Sequence, residues 1–125
     1  MTEPVLYEER DGVAIIAINR PERLNTLTAE VIEGVADYID KATQATDISA
    51  IVLRGEGENV SAGYDLREFL ESSVLTEGEV WDPVADYQSM SANVRRFMTI
   101  WECPKPVIGE VSGWALGGAT DFILC

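Results

Sequence analysis

Val107-Ile108-Gly109-Glu110-Val111-Ser112-Gly113-Trp114-Ala115-Leu116-Gly117-Gly118-Ala119-Thr120-Asp121 reads as a strand, a turn and the opening of a helix. Val107 to Val111 has the β-branched, apolar character of a buried strand. Ser112 to Leu116 turns away from it, and a helix is predicted from Gly117 to Cys125. The first amides of a helix have no intrahelical partner, and the macrodipole adds partial positive charge there. Such an end can receive an anion, or an oxygen becoming one. Asp121 lies three residues beyond Gly118 and so projects from the same face one turn further in. A carboxylate there can act on a substrate whose oxygen sits at the Gly118 amide. Close helix packing, permitted by glycine, explains the same residues without chemistry.

Upstream, Ile48 to Leu53 is a second buried strand, ended by Arg54-Gly55. Glu56 to Gly63 is a glycine-bearing loop, and it delivers Ser61-Ala62-Gly63-Tyr64-Asp65-Leu66. Small residues just after a strand let a ligand approach the backbone. Gly63 permits a bend that leaves the Tyr64 amide free, although an ordinary turn capped by Asp65 fits the same letters. A short helix is expected over Asp65–Leu70.

Further back, Val5–Glu9 and Val13–Ile18 are strands joined by a hairpin turn at Asp11-Gly12. Asn19-Arg20-Pro21-Glu22-Arg23 breaks the second. Thr28 is a good N-cap for a helix whose apolar stripe is Val31, Ile32, Val35, Ile39 and Ala42. Glu71–Pro83 is acidic and without period, so a mobile surface loop is expected. A long helix follows to Trp101, and Tyr87, Met90, Val94, Phe97 and Trp101 recur at three- and four-residue steps that predict a core-facing stripe. Pro104-Lys105-Pro106 stops it. Strands alternating with helices predict an α/β layered fold with mostly parallel strands. The sequence closes on Phe122-Ile123-Leu124-Cys125, an apolar helix without a C-cap, which predicts that the chain is cut short.

The 125 residues suit one domain, with apolar residues at 46% and charged residues at 25%. No window is apolar enough for a membrane span, and Met1-Thr2-Glu3-Pro4 does not begin a signal peptide. A cytoplasmic protein is expected. A net charge of −13 disfavours a general nucleic-acid surface. Cys103 and Cys125 lack metal-ligand spacing and histidine is absent, which disfavours a metal site and any Ser-His or Cys-His pair in this segment. Carboxylates are the leading acid–base candidates. Gly55-Glu56-Gly57 lacks the third glycine of a dinucleotide loop, and the serine of Gly109–Gly113 is one place off a nucleophile elbow.

Three segments together resemble the enoyl-CoA hydratase/isomerase (crotonase) superfamily. Asn19-Arg20-Pro21-Glu22-Arg23-Leu24-Asn25-Thr26-Leu27 is similar to the family's loop after its second strand. Ser61 to Leu66 is similar to its first oxyanion segment, and Pro104 to Gly113 with the glycine pair to its second. The resemblance implies a crotonase-like spiral of strand–strand–helix turns, with residues 1–125 as the N-terminal part of a single domain and the remainder absent. It implies an acyl-CoA substrate, no cofactor beyond the coenzyme A of that substrate, and assembly as a homotrimer or hexamer. The amides of Tyr64 and Gly118 would hold the thioester oxygen. Leu66 and Arg67 would lie along the coenzyme A moiety, with Arg23 and Leu24 flanking its adenine or phosphates, and Ala62 and Asp65 would also bind the substrate. Asp121 falls where the hydratases of the family place a catalytic glutamate, one methylene shorter. The implied reaction is hydration of a 2-enoyl-CoA. An isomerase, hydrolase, dehalogenase or decarboxylase, or a non-catalytic acyl-CoA-binding relative, are the alternatives.

Overall fold

A computed structural model describes residues 3–72 and 80–125. Strands β1 (Val5–Arg10) and β2 (Val13–Ile18) form an antiparallel hairpin whose turn carries Asp11 and Gly12, both at positive φ. β2 pairs in parallel with β3 (Ala50–Gly55), and β3 in parallel with β4 (Val107–Gly109). The described sheet thus has the order β1-β2-β3-β4, and two of its three pairings are parallel, as the alternation of elements predicted.

The crossover from β2 to β3 is helix α1 (Ala29–Gln44). Thr28 caps it, its hydroxyl accepting from the Val31 N–H at 3.2 Å. Val31, Ile32, Val35, Ile39 and Ala42 are all buried, and they face Ala14, Ile16 and Ile18 of β2 and Ile51 and Leu53 of β3 in one core. A buried aliphatic side chain contributes about 1.5–3 kcal/mol, so this stripe is the main tie between helix and sheet. The far end of α1 is closed from outside. Lys105 Nζ donates to the carbonyls of Ala42 and Ala45 at 2.6 and 2.5 Å, a cation at the negative end of a helix.

Helix α2 (Leu66–Ser72) starts one residue later and ends two residues later than expected, so Glu71 and Ser72 are helical. Residues 73–79 of the expected loop lie outside the described residues. Helix α3 (Pro83–Trp101) starts at Asp82, whose carboxylate accepts from the Val84 and Ala85 N–H groups. Its expected core stripe is corrected. Phe97 and Ile100 are the buried residues, whereas Tyr87, Met90, Val94 and Trp101 are exposed. The period of the sequence shows that α3 has an apolar side, but packing picks the covered side. Among the described residues α1 and α4 (Gly118–Leu124) cover the Phe97–Ile100 face.

β4 is also corrected. It spans three residues instead of Val107–Val111, and Ile108 and Val111 are more than half exposed. It is the edge of the described sheet, so one face has no strand beside it. Its bond to β3 continues one residue further, from the Glu110 N–H to the Leu53 carbonyl at 2.9 Å. Among the described residues no helix is long and apolar enough to cross a membrane.

Candidate active site

The loop after β2 is built around Asn25, which is fully buried and left-handed at φ 52°. Its amide nitrogen donates to the carbonyls of Glu56 and Asn59, both at 2.8 Å, and its oxygen accepts from the Arg20 N–H at 2.8 Å. Asparagine tolerates the left-handed region better than most residues, and three hydrogen bonds offset the rest. Gly55 makes room for this clamp, because a Cβ there would meet Asn25 Nδ2 at 2.8 Å and the Asn59 carbonyl at 2.5 Å.

Arg20 carries the clamp outward. Its guanidinium donates to the Thr26 carbonyl and hydroxyl at 2.7 and 3.0 Å and to Asp65 Oδ2 at 3.1 Å. The Thr26 hydroxyl donates to the same Asp65 oxygen at 2.9 Å, and the other Asp65 oxygen accepts from the Arg67 N–H at the start of α2. Burial pushes the Asp65 carboxyl up, but hydrogen bonds from Thr26, Arg20 and the Glu68 and Arg67 amides outweigh it and hold the pKa below the usual value. The Asp65 carboxylate is thus engaged by the protein itself. Arg20 and Asn25 are the residues that motif reading passed over as mere loop.

Asp65 leads back to the segment it ends. Residues 61–65 run as a short ribbon between two others. On one side the Ala62 N–H donates to the Leu24 carbonyl, the Leu27 N–H to the Gly63 carbonyl, and the Asp65 N–H to the Leu27 carbonyl. On the other side Val60 N–H donates to Ser112 O, Ser61 N–H to Trp114 O, and Leu116 N–H to Ser61 O. Ser61 and Ala115 are therefore direct parallel neighbours, as are Leu27 and Tyr64. The two glycine-bearing segments, more than 50 residues apart in sequence, lie side by side.

Gly63 and Gly118 are what allow this approach. A Cβ at Gly63, which sits at φ 92°, would meet the Leu116 carbonyl oxygen at 2.6 Å. A Cβ at Gly118 would meet Tyr64 Cδ2 at 2.8 Å. The Gly63 carbonyl and the Asp65 N–H are spent on Leu27, so by strand alternation the Tyr64 N–H points to the opposite edge of the ribbon, the edge that Ala115–Gly118 flanks. Neither the Tyr64 nor the Gly118 N–H donates to a described residue. Gly118 is the first residue of α4, where an amide has no intrahelical acceptor.

Around this junction the expected binding residues face solvent. Leu24 is 45% and Leu66 70% exposed, and Arg23 and Arg67 are exposed without an ion pair among the described residues. Ala62 is half-buried. Asp121 is exposed on the first turn of α4. Its charge reaches the junction: the Tyr64 phenol is raised by burial and then by Asp121, and the Cys125 thiol is raised by the same two causes.

A sequence model described as enoyl-CoA hydratase/isomerase matches residues 8–125 of this chain. The chain belongs to that family. It is 28% identical to a hydroxycinnamoyl-CoA hydratase-lyase from Pseudomonas fluorescens, over 97% of this chain and 45% of the relative. It is 27% identical to a mitochondrial Delta(3,5)-Delta(2,4)-dienoyl-CoA isomerase from Mus musculus, over 86% of this chain and 34% of the relative. A crystal structure of enoyl-CoA hydratase from Mycobacterium smegmatis superposes with a TM-score of 0.84 at 35% identity, covering 97% of this chain and 44% of that one. The fold is therefore the N-terminal portion of the crotonase fold, and the chain spans less than half the length of these relatives. The relatives are named for more than one reaction on CoA thioesters, so membership gives the family and not the reaction.

Proposed function

We propose that this chain carries the oxyanion-binding half of an acyl-coenzyme A enzyme, with the amides of Tyr64 and Gly118 holding the thioester oxygen. The observation that supports it is the junction of residues 61–65 with residues 114–118, where two amide donors remain unspent among the described residues. An oxygen gathering negative charge between two such donors is stabilised in the transition state, and losing one donor costs about 3–4 kcal/mol. Ala62, Leu66 and Arg67 then line the coenzyme A moiety, with Arg23 and Leu24 at its far end. Asp65 contributes by fixing this segment through Arg20 and Thr26, not by offering its own carboxylate.

The reaction we propose is addition of water across the double bond of a 2-enoyl thioester. The oxyanion pair holds the enolate and Asp121 takes part in moving the proton. Coenzyme A enters only as part of the substrate, and a homotrimer or hexamer is the assembly we expect. The test is the ultraviolet absorbance of crotonyl-CoA incubated with the full chain. Loss of the enoyl band, abolished in Asp121→Ala, supports hydration. A steady band with measurable crotonyl-CoA binding points instead to another reaction of the family, and no binding of the thioester removes the reading altogether.

A further inference from the structure

The oxyanion pair uses only the backbone of Tyr64 and leaves its side chain without a role. Yet its ring lies on the first turn of α4, close enough that a methyl on Gly118 would meet Cδ2 at 2.8 Å and Cζ at 3.0 Å. The ring is held there from behind. Phe97 of α3 stacks on it with centroids 6.4 Å apart, and Phe122 of α4 meets Phe97 edge-on at 5.3 Å. Both phenylalanines are buried, whereas Tyr64 is only half so. The phenolic end of this three-ring stack is thus the end that faces out.

Three residues along the same first turn of α4 stands Asp121, exposed. The two side chains are not hydrogen-bonded to each other, and the Tyr64 hydroxyl has no hydrogen-bond partner among the described residues, nor is it sealed from solvent. A hydroxyl donor and a carboxylate acceptor set apart on one face leave both groups available to a third. An oxygen that carries a proton satisfies both at once, accepting from the phenol and donating to the carboxylate.

We infer that the Tyr64 hydroxyl is the hydrogen-bond donor for a ligand oxygen that Asp121 also reaches, either a hydroxyl on the acyl chain or the water to be added. This rests on the acyl-thioester reading above. Burial and the Asp121 charge keep the phenol protonated, so it remains a donor at neutral pH. The assignment gives this half of the fold both polar groups needed to orient such an oxygen, one from the 61–65 ribbon and one from α4.

Tyr64→Phe is the informative variant, because it removes one oxygen and keeps the ring on Phe97. Calorimetric binding of 3-hydroxybutyryl-CoA and butyryl-CoA to the full chain and to Y64F separates the cases. If the acyl hydroxyl is the ligand oxygen, the parent prefers the hydroxylated thioester about fivefold, the worth of one neutral hydrogen bond. Y64F then loses that preference, the ratio of the two affinities falling to about one. If water is the ligand oxygen, neither chain distinguishes the two thioesters, and Y64F lowers kcat for crotonyl-CoA about tenfold at unchanged KM. Unchanged preference together with unchanged kcat overturns the inference while leaving the acyl-thioester reading intact. Failure of the parent to bind either thioester overturns both.

Discussion

Arg20 Nη2 lies 3.1 Å from Asp65 Oδ2, tying the loop after β2 to the segment that carries Tyr64. The two side chains are 20% and 14% exposed, so this pair is better shielded than the Arg10–Glu8 pair on the hairpin. A hydrogen bond to a charged group is worth about 1.5–3 kcal/mol, and Asp65 accepts from Arg20, Thr26 and the amides of Arg67 and Glu68. Asp65→Asn keeps the shape and removes the charge, and it is expected to lower stability by about 2 kcal/mol in urea unfolding. The effect has a pH signature. The folded carboxyl holds its proton less tightly than the unfolded one, so its contribution is complete above the unfolded carboxylate value of about 3.9. It is lost as pH falls through the lower folded value. The parent and the variant therefore converge in stability as the pH is lowered through that range and differ by a constant amount at pH 7. A gap that persists undiminished into strong acid contradicts this role.

Asn25 gives a second prediction. Asn25→Ala deletes three hydrogen bonds and strands the Glu56 and Asn59 carbonyls and the Arg20 N–H inside the loop. It also puts alanine at φ 52°, where a Cβ is disfavoured. A loss of about 3 kcal/mol is expected. Asn25→Asp keeps the acceptor and the preference for the left-handed region but forfeits both donated bonds. It is expected to fall about as far, because a carboxylate then faces two carbonyl oxygens. Thermal unfolding followed by circular dichroism measures both. An alanine variant as stable as the parent would show that the clamp contributes nothing.

The contrast between Asn25 and Phe97 shows what was legible beforehand. Helix α1 could be read closely because its whole apolar stripe, Val31, Ile32, Val35, Ile39 and Ala42, is covered by the sheet and by α3, and all five are buried. Helix α3 has the same kind of period, yet Tyr87, Val94 and Trp101 are exposed while Phe97 and Ile100 are covered. Periodicity gives the direction of an apolar face, and only the neighbours decide whether it is buried. The two glycine segments were legible as a place of close backbone approach, and Gly63 and Gly118 do leave room for Leu116 and Tyr64. The Arg20–Thr26–Asp65 and Asn25 networks were not. Their long-range partners are 31 to 45 residues away, and two of them are backbone carbonyls, which every residue has. The one local signal was an asparagine inside a loop that contains a proline, a common arrangement in turns.

The contact between Gly118 and the Tyr64 ring yields the last prediction, and it tests the junction without requiring any substrate. Gly118→Ala places a methyl where the ring now lies, at 2.8 Å from Cδ2, so the ring must leave its stack on Phe97. Overpacking of this kind costs about 1–3 kcal/mol. Tyr64→Ala alone removes the stack and costs a comparable amount, but it also clears the space above position 118. In the double variant the methyl no longer meets the ring, so the two losses are not additive. The double variant is expected to be more stable than the sum of the singles predicts by about 1 kcal/mol, a coupling that a double-mutant cycle in urea resolves. The near-ultraviolet circular dichroism of Gly118→Ala should also change, since the tyrosine leaves a fixed aromatic environment. Strict additivity with an unaltered aromatic spectrum would mean that the ring does not rest on the first turn of α4, and the close approach of the two segments would lose its support.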